Sequence, residues 1–198
     1  MNPYRQIANI AVAGTLALGA AGASAVELSI TSRAATQALI EGAFTRNGKY
    51  DLVPPTKCIH AYLETPQVSF ANDRLVVRFH LSARAAQDVG GQCMGPEDRF
   101  WVTVSAVPAV ANATIVARNF QITELGNPSY RVPLELALKQ GLEKALRVDI
   151  DGLLRNALSR DLGRYRIAVE NLVITNLRAR DNLLRATVEF AMTGDAAQ

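Results

Sequence analysis

The chain has 198 residues, 49% of them apolar, with 21 Lys and Arg against 18 Asp and Glu and a formal net charge of +3. That near-balance, with basic residues spread along the chain instead of gathered in runs, argues against nucleic acid as a main partner. Only two Cys and two His are present, which fits no zinc pattern and no Cys-x-x-Cys redox motif.

Residues 1–25 read as an export leader. Arg5 precedes an apolar run from Ile7 to Ala21, and Ala23-Ser24-Ala25 supplies the small residues that signal peptidase accepts. The run is short and broken by Gly14, Gly19 and Gly22, whereas a membrane anchor needs roughly 20 strongly apolar residues. Cleavage is expected after Ala25, and no Cys stands there to be lipid-modified. What remains, residues 26–198, is the size of one domain with room for a sizeable core, expected in a bacterial periplasm. In that oxidising compartment Cys58 and Cys93 are most simply one disulfide. Closing a loop of about 36 residues stabilises the fold by roughly 3–4 kcal/mol on the chain-entropy account.

A helix opens the domain. Ser29, Thr31 and Ser32 are capping candidates, and Ala35, Leu39, Ile40 and Phe44 recur at helical spacing. Asn47-Gly48 ends it and Pro54-Pro55 enforces an extended passage. Strands are expected at 57–63 and 67–70, with a bulge or edge position at Pro66 between them. After turn residues Ala71-Asn72-Asp73 comes the cleanest alternation in the chain. Leu75, Val77, Phe79 and Leu81 occupy one face, and Val76, Arg78, His80 and Ser82 the other. Residues 85–98 read as a Gly/Pro loop, 99–107 as a strand broken by Pro108, and 113–124 as another strand. Pro133 opens a leucine stripe, Leu134, Leu138, Leu142, Ala145 and Leu146. A second stripe, Ile150, Leu153, Leu154, Ala157 and Leu158, follows a bend near Val148-Asp149. Two strands, 164–175 and 182–190, close the chain around a turn at Asp181-Asn182. The apolar phase of the first shifts from Ile167/Val169 to Leu172/Ile174, which predicts a bulge.

Segregated helices and short strand connections make this α+β. The expected architecture is a highly curved antiparallel sheet of about six strands wrapped around a long, bent helix, plus the amino-terminal helix. No Gly-rich phosphate loop, Gly-x-Ser-x-Gly elbow or His-Glu-x-x-His is present. No enzyme activity, cofactor or metal is expected.

The run Leu28 to Ile40, the stretch from Val104-Ser-Ala-Val-Pro108 through Ile115 to Ile122, and the apolar helix from Pro133 resemble the YceB-like periplasmic lipoproteins. The closing segments, Ile167 to Ile174 and Leu184 to Phe190, fit less specifically. That family resembles the tubular lipid-binding superfamily, whose members wrap a curved antiparallel sheet around a long helix and hold lipid along it. This chain lacks the family's acylated Cys and adds Cys58 and Cys93.

The resemblance implies a non-enzymatic carrier or sensor of an apolar small molecule, a lipid or fatty-acyl group, held between sheet and helices. Its expected contacts are Leu75, Val77, Phe79 and Leu81, then Leu138 and Leu142, then Val188 and Phe190. Periodicity does not separate such pocket residues from those of a dry core. The alternative is a fully packed cell-envelope interaction module presenting Trp101, Tyr62 and the loop 90–96 to a protein partner. Either way, membrane contact is transient at most.

Overall fold

A computed structural model describes residues 11–13, 23–132, 134–136, 138, 146–161 and 165–196. The chain opens with β1 (Ala11–Ala13), β2 (Ala23–Thr31) and α1 (Ser32–Ala43). Next come β3 (Lys49–Asp51), β4 (Ile59–Ala71) and β5 (Arg74–Ala85), then the short β6 (Gln87–Val89) and β7 (Gln92–Met94). The long β8 (Glu97–Ala111) and β9 (Thr114–Leu125) follow, and after helical backbone at 131–132, 134–136 and 138 comes β10 (Arg147–Asp149). It ends with α2 (Ile150–Asp161), β11 (Tyr165–Arg180) and β12 (Leu183–Ala196).

The fold is α+β and mostly strand. A six-stranded antiparallel half-barrel has the order β10-β9-β8-β5-β4-β3. A second sheet, β1-β2-β12-β11, is also antiparallel, and β6-β7 is a separate hairpin. This second sheet pairs residues at opposite ends of the chain: Thr31 stands against Leu183 and Val26 against Val188. The leader expected over 1–25 falls largely outside the described residues. Cleavage after Ala25 would remove β1 and leave Val26 as the first paired residue of β2.

Turn chemistry sets the register. The two central residues of three hairpins, Asn72-Asp73, Asn112-Ala113 and Asp181-Asn182, all have positive φ between 47° and 58°. That is the primed turn whose twist matches the flanking strands. The long strands curve at bulges. Thr65 in β4, Asn119 in β9, and Asn171 and Asn176 in β11 have φ of 49–53°, each at or beside a register shift. The bulge beside Pro66 and the one between Val169 and Leu172 fall where the sequence places them.

Three local expectations change. The stretch 85–98, expected as a Gly/Pro loop, holds the paired strands β6 and β7 around the Gly90-Gly91 turn and the start of β8. Pro108 does not break β8: it pairs with Ala117 past the point where β5 has ended, so β8 has only β9 beside it there and a missing donor is tolerated. The bend expected near Val148-Asp149 is the strand β10, with Val148 opposite Ile115.

Thr31 caps α1, its hydroxyl accepting from the Ala34 amide at 3.1 Å. Farther along α1, the Thr36 hydroxyl accepts from the Val68 amide at 2.9 Å, so the helix satisfies the part of the β4 edge that β3 leaves bare. The two sheets meet at their hairpin tips. Asp73 N–H donates to Ala179 O at 2.9 Å and Asn182 N–H to Phe70 O at 3.1 Å. Arg180 grips the Asp73 carboxylate with two nitrogens, the shortest contact being 2.6 Å.

One continuous core lies between these layers. It joins Leu63, Val77, Phe79 and Leu81 of the half-barrel to Val26, Leu28, Val188 and Phe190 of the second sheet and to Leu39 and Leu134 of the helices. Cys58 and Cys93 form a disulfide that ties the β6–β7 hairpin to the start of β4.

Candidate functional site

The space in this core is unevenly distributed. At α1, residues Ala34, Ala35 and Ala38 present methyl groups where a core helix usually carries larger side chains. Facing them are Ile30 and Leu184 of the second sheet, Phe70 and Leu75 at the β4–β5 turn, Pro108, and Ile115 to Ala117 on β9. Leu146, Arg147 and Val148 close the far side. The result is an open groove with about 70 Å³ of unfilled volume, apolar throughout except for Arg147. Such a volume holds about six water-sized groups.

A second cleft of about 350 Å³ lies farther along the same strands. Val104, Phe120, Ile122 and Leu138 form its apolar part. Gln121, Thr123, Arg131 and Glu135 make it polar, with Arg131 and Glu135 3.8 Å apart.

The expected ligand contacts divide between wall and core. Leu75 lines the groove and Leu138 the second cleft. Val77, Phe79, Leu81, Val188 and Phe190 are buried in the packed core, Phe79 at 0% exposure. Phe44 stacks against Phe79 with ring centroids 5.9 Å apart. Leu142 lies outside the described residues. The alanine face of α1 was legible as a signal but passes easily for ordinary helix propensity: Ala34, Ala35 and Ala38 share one side of the helix, where Leu or Ile would fill a core.

The outer face of the half-barrel is built differently. One cross-strand row holds Lys49, Glu64, His80 and Trp101 on β3, β4, β5 and β8. His80 Nδ1 lies 3.1 Å from Glu64 Oε1, and its ring meets Trp101 edge-on at 5.3 Å. Arg78 stacks over Trp101 at 4.4 Å and Lys49 over Tyr62 at 3.9 Å. In the neighbouring rows Glu97 takes both Arg84 and Arg99. The hydrogen bond from Arg99 holds the Glu97 carboxyl below its ordinary value. His60 stacks on Tyr62.

Among the described residues no group of three or more His, Cys, Asp and Glu can hold a metal, and no helix is long and apolar enough to cross a membrane. No protein-family model, curated protein or solved structure matches the chain.

Proposed function

We propose that this is an exported, non-enzymatic protein that binds an apolar ligand, a lipid or fatty-acyl group, in the groove under α1. The supporting observation is the groove itself: an unfilled apolar surface at the junction of both sheets and the first helix, beside the packed core around Phe79. The disulfide supports an oxidising compartment such as the periplasm. The resemblance to YceB-like proteins points the same way.

Volume limits the affinity. At about 0.8 kcal/mol per buried methylene, six groups contribute at most about 5 kcal/mol, a dissociation constant near the millimolar range. The groove therefore takes a segment of a chain, and the remainder of the binding energy comes from groups outside it. Contacts are Leu75, Ile30, Phe70 and the α1 alanines, while Val77, Phe79, Leu81, Val188 and Phe190 pack the core beyond the groove. Native mass spectrometry after gentle purification, with titration of a fluorescent fatty acid, tests this. A bound adduct or a saturable fluorescence change is expected. An empty protein that leaves the probe in water overturns the reading.

A second reading, an envelope interaction module, is favoured by the outer face, where Trp101 (38% exposed) and Tyr62 share one side of the half-barrel with stacked cations. Charge-preserving removal of that platform, Trp101→Ala with Tyr62→Ala, separates the two readings: it leaves fatty-acid binding intact under the first.

A further inference from the structure

The outer face of the second sheet carries a like-charge pair. Arg178 of β11 stands directly opposite Arg185 of β12, and Ser29 of β2 completes the row. Directly opposed residues share a face with Cβ atoms roughly 4.5–5.5 Å apart, and like charges so placed are destabilising. This face is the wet one: Arg178 and Arg185 are exposed, whereas Ala179, Leu184 and Ala186 are buried on the other side. A bulge creates the pairing. From Thr175 to Arg178 the chain takes three steps on β11, while β12 takes two from Thr187 to Arg185, with Asn176 at φ 50°. Without the extra residue Leu177 would oppose Arg185.

The nearby carboxylates are engaged elsewhere or stand off. Arg180, two residues along the same face, takes Asp73 with two nitrogens, and Asp181 in the turn also acts on Arg180. Glu189 accepts from the Thr175 hydroxyl at 3.4 Å. Arg185 Nε lies 3.9 Å from Glu27 Oε1, an ion pair beyond hydrogen-bond reach. Arg178 acts on Asp73 through space and, among the described residues, makes no hydrogen bond or ion pair of its own.

We propose that the Arg178–Arg185 row binds the phosphate groups of anionic lipid headgroups, so that this face docks reversibly on a membrane surface. Guanidinium forks match phosphate in geometry. Two of them on opposed positions repel one another, and an oxyanion between them removes the repulsion. The row lies on an open sheet face outside both voids, which suits a phosphate presented on a surface and not a small solute enclosed in a pocket. The inner face of the same strand segments, at Ile30 and Leu184, lines the apolar groove. Contact through the row therefore holds the groove end of the molecule at the bilayer. Lipid as the source of the phosphate rests on the groove reading; the row itself does not.

Co-sedimentation of the full chain with vesicles tests this. Vesicles containing phosphatidylglycerol should bind the protein at low ionic strength, with pure phosphatidylcholine as the baseline, and the attraction should fade near about 0.5 M salt. An arginine near an anionic surface contributes about fivefold in affinity. Arg178→Gln should therefore weaken binding about fivefold, and Arg178→Gln with Arg185→Gln about twenty-five-fold. Urea unfolding of both variants should be unchanged or shifted to higher urea, because a repulsion is removed. Arg118→Gln, the same charge change at an exposed site on β9, should leave vesicle binding intact. Equal losses in Arg118→Gln and Arg178→Gln would reduce the effect to net charge and overturn the row. Equal binding to both kinds of vesicle overturns the membrane contact. So does calorimetric binding of inorganic phosphate by a protein that ignores anionic vesicles, which assigns the row to free phosphate. The fatty-acid probe reports on the groove separately: its failure with vesicle binding intact removes the groove reading and spares the row.

Discussion

Two ends of the same strand, β5, are covered in opposite ways. Around Phe79 the cover is Phe44, just past the end of α1, stacked on the ring, with Leu63, Leu81 and Val102 closing the sides at 0% exposure. Around Leu75 the cover is Ala34, Ala35 and Ala38 from the start of α1, and a groove remains. The strand pattern is identical at both places, so alternation decides which residues face inward and the opposing helix decides whether the interior is full. A void in this fold is a property of what lies across from the strand.

The largest expected effect tests the full end. Phe79→Ala should cost about 3–5 kcal/mol in urea unfolding. Leu75→Ala, at a wall already bordering open space, should cost about 2 kcal/mol, the low end for a leucine truncation. Equal losses would mean that the space beside Leu75 is filled in solution, and the contrast would collapse. Replacing Cys58 and Cys93 by Ser touches neither end. It should lower stability by roughly 3–4 kcal/mol through the loop that the bridge closes and leave the affinity for a fatty-acid probe unchanged.

Much of the full end was legible in sequence, because its signals are local. The β5 alternation, the Asn72-Asp73 and Asp181-Asn182 turns, and the phase slip that becomes the Asn171 bulge all arise within a few residues of backbone. The division into two sheets was not legible: it depends on pairing β2 with β12, residues more than 150 positions apart, and no local propensity records a partner. The bend expected at Val148-Asp149 became β10 for the same reason, since only Thr114 to Val116 across the gap make it a strand. Pro108 misled because its effect depends on whether a neighbour stands beside it. The groove was hidden more deeply. Alanine on a helix reads as high propensity, and only the distance to the opposite wall turns three methyl groups into a space.

A smaller effect concerns the joint between the sheets, which borders the groove through Phe70 and Leu75. Hydrogen bonding from Arg180 holds the Asp73 carboxyl below its ordinary value of 3.8. The folded state therefore favours the ionised form. That contribution is fully present above pH 3.8 and is lost as pH falls through the lower folded value. Asp73→Asn should flatten the stability profile in that acid range and change little at neutral pH, because the pair is solvent-exposed and screened. A profile that keeps its full acid slope in Asp73→Asn would assign the slope to other carboxylates.

The smallest expected stability change is the sharpest test of the contrast. Ala38→Leu places three extra carbons into the groove from α1. With open volume there, the change in unfolding free energy should stay within about 1 kcal/mol, since new burial offsets any repacking. Ala106→Leu provides the comparison. Ala106 is buried in the closed core and lines neither void, so the same added carbons should cost about 1–3 kcal/mol by overpacking. Binding should separate the pair in the other direction: Ala38→Leu abolishes uptake of the fatty-acid probe while Ala106→Leu, where it still folds, retains it. If Ala38→Leu is as costly as Ala106→Leu, the methyl face of α1 is already in contact with its opposite wall and holds no room for a ligand. If it is harmless yet still admits the probe, the apolar guest binds elsewhere, and the 350 Å³ cleft beside Leu138 becomes the place to look.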